Sequence, residues 1–181
     1  MNYFVAIMCI LFLGISLNID IFRYFITSET YWAGLPVVPI LLMANVFLGI
    51  YINQSIWYKL SDQTKFGAYI ALGGAGLTIL INYLFIPTYG YYASAWATMI
   101  VYGVQMVASY LLGQKYFPIR YNIRKFFLYM GACAGIFFLS KSLHMETGSV
   151  LKFFVNNAMI LAFIGLVIFI EGIRFRKSKA N

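Results

Sequence analysis

The sequence predicts an all-α, polytopic membrane protein built as a bundle of transmembrane helices. Of its 181 residues, 62% are hydrophobic and only 10% are charged, and the mean hydropathy is +0.82. Soluble domains carry about 25% charged residues, so this chain has too little polar surface to face water on all sides. Its apolar runs are also apolar on every face, whereas the strands of a membrane barrel alternate in polarity.

Six segments of the chain are long enough to cross a bilayer. A hydrocarbon core about 30 Å thick needs roughly 20 helical residues. The predicted spans are residues 3–21, 37–57, 67–86, 91–112, 126–143 and 150–170. The first run has no basic segment before it and no small-residue cleavage site after it, so we interpret it as a retained span rather than a signal peptide.

The distribution of Lys and Arg predicts the orientation of these spans. Ten of the 13 basic residues follow the second, fourth and sixth spans: Lys59, Lys65, Lys115, Arg120, Arg124, Lys125, Arg174, Arg176, Lys177 and Lys179. The other three, Arg23, Lys141 and Lys152, follow the first and fifth spans. Because cytoplasmic loops are enriched in Lys and Arg, both termini are predicted to be cytoplasmic. Basic residues in short loops beside apolar segments also indicate contact with membrane lipids, and no nucleic-acid partner.

The most polar connection predicts a boundary within the chain. Residues 113–125 form a basic cytoplasmic loop, which separates a four-helix membrane block at 1–112 from a two-helix appendage with a basic tail at 126–181. Within the block, the tight turn at 87–90 makes the third and fourth helices antiparallel. Pro39 falls in the first turn of the second helix, where the missing N–H costs little.

Three consecutive spans carry a stripe of small or polar residues on one face. The stripes consist of Asn45, Gly49 and Asn53; of Ala71, Ala75, Thr78 and Asn82; and of Ser94, Thr98, Gln105 and Ser109. Such residues commonly bring membrane helices into close contact. The alternative is that the stripes line a water-filled wall that faces a ligand, and the sequence leaves both interpretations open.

No group of residues in the sequence is typical of catalysis. There is no acid pair, no nucleophile beside a base and no Gly-rich phosphate loop, so the chain is predicted not to be an enzyme. Cys9 and Cys133 lie in apolar runs and are interpreted as packing residues. His144 is the single histidine, and we expect neither a metal nor another cofactor. Asp20 and Glu171, at the ends of spans, are interpreted as interfacial and solvated.

Two stretches of the sequence carry a family resemblance. The first contains Pro-Ile-Leu-Leu at 39–42, Gly-Ile-Tyr at 49–51 and Trp-Tyr-Lys-Leu-Ser-Asp-Gln-Thr at 57–64. The second contains Asn-Tyr-Leu-Phe-Ile-Pro-Thr-Tyr-Gly-Tyr at 82–91 and Ala-Ser-Ala-Trp-Ala-Thr at 93–98. Over about residues 30–124 the chain resembles the C-terminal lobe of polysaccharide (O-antigen type) flippases, in the multidrug/oligosaccharidyl-lipid/polysaccharide exporter superfamily. The flanking helices agree with that family in topology only.

The resemblance implies translocation of a lipid-diphosphate-linked oligosaccharide across the bacterial inner membrane. The family alternates access between two lobes around a central cavity, and this chain supplies about one lobe. A partner that provides the N-terminal lobe is therefore implied, or the chain is a fragment or a truncated product. Asn45, Asn82 and Gln105 would face the central cleft and bind glycan hydroxyls or water. Lys59 and Lys65 would gather the diphosphate, although their simpler role is to hold the loop at the cytoplasmic surface.

Two other functions are compatible with the same sequence. One is export of a drug or a lipid precursor by a member of the same superfamily. The other is a non-transporting membrane scaffold, or a truncated remnant, in polysaccharide assembly.

Overall fold

A computed structural model describes residues 2–21, 29–119, 122–143 and 150–179, and these contain helices and no strand. The α-helices are α1 (Asn2–Leu17), α2 (Val38–Gln54), α3 (Ile56–Leu60), α4 (Thr64–Tyr89), α5 (Tyr91–Tyr116), α6 (Ile123–Ser142) and α7 (Val150–Lys179). A 3-10 helix at Glu29–Val37 leads directly into α2. The all-α prediction is confirmed for the described residues.

Five helical stretches in the described residues are long and apolar enough to cross a membrane. They are Gly34–Leu60, Thr64–Tyr89, Tyr91–Tyr116, Ile123–Ser142 and Val150–Gly172. The first predicted span is the exception, because its apolar helix covers only Tyr3–Leu17. The 16 residues of α1 extend about 24 Å at 1.5 Å per residue, less than the roughly 30 Å of a hydrocarbon core.

The chain divides into two compact units. The described residues of Gly34–Tyr121, which hold α2 to α5, form a unit that is central in the sequence and is called the central unit below. Helices α1, α6 and α7 form the second, or flanking, unit. The predicted block at 1–112 groups α1 with the central helices, whereas α1 packs against α6 and α7. Because α1 is apolar on every face, its sequence does not indicate which helices it contacts. The predicted grouping of α1 therefore differs from the grouping in the structure.

Helix α5 lies between α2 and α4 in the central unit. It runs parallel to α2, because Phe47 contacts the position of Gly103 while Trp57, further along α2–α3, contacts that of Gly113. Pro39 occupies the first turn of α2, as predicted. The sequence of α2 and α5 thus places small residues where the two helices approach closely.

Helices α4 and α5 are antiparallel, as the turn at 87–90 predicts. Gly90 alone separates them, with φ +57° and ψ −140°, a conformation that glycine adopts without steric cost. Helix α4 extends three residues beyond its predicted end at 86 and contains Pro87 in its last turn. At the far end of the pair, the rings of Phe66 and Tyr116 have centroids 4.6 Å apart.

The flanking unit packs α1 parallel to α6. Phe12 and Phe137 have ring centroids 5.5 Å apart, and the Cys133 Sγ lies 3.8 Å from the carbonyl oxygen of Cys9. Both thiols are free and buried, in agreement with their interpretation as packing residues. Helix α7 runs antiparallel to both neighbours, since its first turns lie beside the end of α1 and its last described side chains lie beside the start of α6.

Candidate functional site

The polar hairpin between α2 and α4 is built around Trp57. This side chain is 1% exposed, and its Nε1 donates to the Ser109 Oγ at 3.4 Å. Its ring is nearly parallel to that of Tyr116, with centroids 6.4 Å apart, and lies 5.9 Å from Phe66. A Cβ at Gly113 would come within 3.0 Å of the indole. Glycine at this position therefore lets the indole pack directly against α5.

Tyr58 holds the other side of the hairpin. Its ring meets that of Trp57 edge-on, with centroids 5.3 Å apart. A Cβ at Gly67 would lie only 2.7 Å from the Tyr58 ring, so the absence of a side chain there allows the ring to rest on the start of α4. The aromatic side chains of α3 consequently contact both α4 and α5.

Hydrogen bonds to the end of α3 shape the turn that follows it. The Ser61 N–H and Oγ both donate to the carbonyl of Trp57, at 3.1 and 2.8 Å. The Gln63 N–H donates to the carbonyl of Tyr58 at 2.9 Å. Asp62, between them, is exposed and has φ +55°, a left-handed conformation that Asp tolerates better than most residues. The turn is therefore compact, although it is polar and faces outward.

Both lysines predicted in the hairpin are exposed, and they belong to different helices. Lys59 belongs to α3, and Lys65 to the first turn of α4, where its Nζ lies 5.7 Å from the Phe66 ring centroid. No contact between the two is found in the described residues. Sequence reasoning did not relate Lys65 to Lys115, in the last turn of α5, whose Nζ lies 5.6 Å from the Tyr116 ring centroid. The antiparallel pairing of α4 and α5 was the signal that places residue 115 at the same end as residue 65.

Gln105, predicted to face a cleft, is buried between α5 and α4. Its Nε2 donates to the main-chain carbonyl of Ile70 at 3.4 Å. The amide fits only because residue 74 is glycine, since a Cβ there would overlap it. The structure thus gives Gln105 a role in joining two helices, which agrees with the packing interpretation of its stripe.

Asn45 and Asn82 occupy different surroundings from Gln105. Asn45 is exposed, and its Nδ2 donates to the carbonyl of Leu41, one turn earlier in α2, at 2.9 Å. Asn82 is half-buried on α4, and its Oδ1 is buried with no hydrogen-bond partner in the described residues. No described hydrogen bond joins these three predicted residues to one another. The Asn82 Oδ1 is therefore a buried acceptor without a described partner.

Glu171 departs from the interfacial interpretation, because it is 6% exposed. Its Oε1 pairs with the Lys125 Nζ at 2.5 Å and accepts a hydrogen bond from the Tyr129 hydroxyl at 2.8 Å. Its Oε2 is buried without a partner in the described residues. Asp20, also predicted to be solvated, is half-buried and pairs with Lys152 at 2.7 Å. Both acidic residues therefore serve to connect helices of the flanking unit.

Asn156 is a second residue that sequence reasoning missed. It is buried in α7, and its Nδ2 donates to the carbonyl of Leu17 at 2.6 Å. Its Oδ1 accepts a hydrogen bond from the Ser140 Oγ at 2.8 Å. The last carbonyls of a helix have no partner within that helix, so Asn156 satisfies the end of α1 from another helix. The pair Asn156-Asn157, six residues into an apolar span, was the available signal.

The described parts of the chain thus define a helical protein with five candidate membrane spans. No group of three or more His, Cys, Asp and Glu residues in the described parts of the chain could hold a metal ion. Comparison of the sequence and the structure with family models, curated proteins and solved structures finds no match.

Proposed function

We propose that this chain is one lobe of a flippase that moves a lipid-diphosphate-linked oligosaccharide across the bacterial inner membrane. The observation that carries the proposal is an agreement of boundaries. The motifs that resemble the flippase lobe extend over about residues 30–124, and the central unit extends over Gly34–Tyr121. The resemblance therefore covers one compact body of helices rather than scattered parts of the chain.

We further propose six crossings with both termini in the cytoplasm, α1 being the short sixth span. Helix directions support this path. If consecutive spans cross the membrane in opposite directions, each span is antiparallel to the next one and parallel to the one after that. The six spans in order are α1, α2, α4, α5, α6 and α7. In the central unit α2 and α5 are parallel and α4 is reversed, and in the flanking unit α1 and α6 are parallel and α7 is reversed.

The outer face of α4 supports a membrane location as well. Leu72, Ile79 and Tyr83 are 69%, 70% and 79% exposed, and they follow one another along the helix. A contiguous apolar surface of this kind is typical of contact with lipid or with another protein. In the proposed assembly this surface faces membrane lipids or the partner N-terminal lobe.

The proposed substrate contacts use polar groups that the fold leaves available. The exposed Lys59 and Lys65 gather the diphosphate at the cytoplasmic surface. The exposed Asn45 and the half-buried Asn82 contact glycan hydroxyls through their side-chain amides. Gln105 supports this wall by holding α4 against α5.

Export of surface polysaccharide tests the proposal in cells that depend on this chain. We expect Asn82→Ala to reduce export while the amount of folded protein in the membrane stays unchanged. Thr98→Ala is the control, because the Thr98 hydroxyl donates to the Ser94 carbonyl of its own helix at 2.8 Å. Unchanged export in the Asn45→Ala/Asn82→Ala double variant would contradict the assignment of these contacts.

A non-transporting scaffold is the second candidate, and the burial of Gln105 favours it. If every polar stripe only packs helices, none remains to line a path for a substrate. Reconstitution with the partner lobe separates the two functions. Movement of a lipid-diphosphate oligosaccharide in proteoliposomes supports the flippase, whereas its absence in a stably folded complex supports the scaffold. Selective movement of a drug would instead indicate a different exporter.

A further inference from the structure

We infer that Lys65 and Lys115 together bind the phosphate of a lipid headgroup, on a platform formed by Phe66 and Tyr116. The inference deepens the proposed function and rests on its membrane placement. It adds Lys115, which the sequence groups only with the other basic residues, and it pairs Lys115 with Lys65, while Lys59 remains a separate contact of the diphosphate.

The two lysines lie at the same end of the α4–α5 pair although 50 positions separate them in the sequence. Lys65 lies in the first turn of α4 and Lys115 in the last turn of α5, and these helices are antiparallel. Each ammonium lies within 5.7 Å of the ring next to it, and the centroids of the two rings are 4.6 Å apart. One aromatic pair therefore carries both cations.

Neither lysine forms an ion pair with a described residue. The ion pairs of the described residues, Lys125–Glu171 and Lys152–Asp20, both lie in the flanking unit. Asp62 is the one acidic residue in the sequence between positions 34 and 121, and it forms no ion pair in the described residues. The first turn of α4 carries no acidic residue either, so Lys65 sits unopposed at the positive end of a helix dipole.

The platform is anchored by a buried side chain. Tyr116 stacks on the buried indole of Trp57, and Phe66 packs beside the same indole. Lysine binds phosphate as a compact point charge, so two ammonium groups on one platform suit a group with several anionic oxygens. Aromatic rings are also enriched at the level of lipid headgroups. The ligand that fits this chemistry is a lipid phosphate or diphosphate.

Binding of defined lipids to the purified full chain tests the inference. The dissociation constants of phosphatidylglycerol and of a polyprenyl diphosphate are measured by native mass spectrometry, against a phosphatidylcholine background. We expect Lys65→Gln and Lys115→Gln each to weaken binding about fivefold, the effect of one basic residue near an anionic headgroup. Lys141→Gln is the matched control, because Lys141 is exposed and lies 5.2 Å from the Phe137 ring without a second lysine.

A double-mutant cycle separates one shared phosphate from general attraction to an anionic surface. If one phosphate bridges both lysines, the double variant loses less than the product of the two single losses, because the first substitution already breaks the shared site. Independent losses that multiply, or losses equal to that of Lys141→Gln, would overturn the inference. Equal melting temperatures of all variants establish that folding is unchanged.

The two lipids identify the source of the phosphate. Tighter binding of the polyprenyl diphosphate supports a substrate site, and equal binding of phosphatidylglycerol supports a site for general headgroups. The outcome is independent of the export assay. Unchanged lipid binding in the lysine variants would contradict only the phosphate site. Absence of oligosaccharide movement would contradict only the proposed function.

Discussion

The helices of the central unit and those of the flanking unit are joined by different kinds of contact within each unit. In the central unit, aromatic rings and a buried amide fit against positions 67, 74 and 113, all of them glycine. In the flanking unit, ion pairs and amide hydrogen bonds join the helices at both ends. Close packing depends on shape, whereas buried charge depends on pairing. The two units should therefore fail in different ways when one partner is removed.

The largest effect is expected from removing one half of the buried ion pair. Lys125→Met leaves the Glu171 carboxylate buried and unpaired, and we expect a loss of about 3–5 kcal/mol in the free energy of unfolding. Thermal unfolding in detergent measures it, with Lys141→Met as the exposed control. Addition of Glu171→Leu should restore most of the loss, because an apolar pair replaces the charged one. A single variant as stable as the control would show that the pair is not buried as described.

A methyl group at Gly74 tests the packing of the central unit. A Cβ there overlaps the Gln105 amide, so Gly74→Ala should destabilise by about 1–3 kcal/mol, a typical cost of overpacking. Gly73→Ala is the control in the same helix, because nothing lies within 4 Å of its Cβ position. Gln105→Ala should relieve the Gly74→Ala effect when the two are combined. Equal melting temperatures for the two alanine variants would contradict the described contact between α4 and α5.

A smaller effect is expected at the end of α1. Asn156→Ala removes the donor to the Leu17 carbonyl and the acceptor for Ser140. We expect a loss of about 1 kcal/mol, since hydrogen bonds between membrane helices average well under 2 kcal/mol. Hydrogen exchange at the end of α1 provides the local measurement. Asn157→Ala is the comparison and should have a smaller effect, because the Asn157 Nδ2 donates to the Phe153 carbonyl of its own helix at 2.8 Å and reaches the Asn18 Oδ1 only at 3.4 Å. Identical hydrogen exchange in both variants would show that Asn156 does not stabilise the end of α1.

Local chemistry in the sequence predicted the path of the chain well. Pro39 and Gly90 have conformational requirements that do not depend on distant residues, so the start of α2 and the turn between α4 and α5 could be inferred from them. The apolar runs likewise gave the helices, because composition alone determines whether a helix suits a bilayer. Each of those features depends on residues that are close together in the sequence.

Contacts between distant helices could not be inferred in the same way. The burial of Gln105 depends on Gly74, and that of Glu171 on Lys125, and neither pairing leaves a mark in the local sequence. Position at the end of a span made Glu171 look solvated, although Tyr129 and Lys125 cover it. The membership of α1 in the flanking unit was missed for the same reason.

The hydrogen bond from Asn156 to Leu17 has a consequence for the timing of biosynthesis. Its two residues are 139 positions apart, and a ribosome adds about 5–20 residues per second. The end of α1 therefore waits about 7–28 s for its partner after it has been synthesised. All of the central unit is made during that interval, so its helices can pack while α1 still lacks both of its neighbours. Proteins that shield unpaired membrane helices during insertion would be needed most by α1, which is made before both of the helices that pack against it.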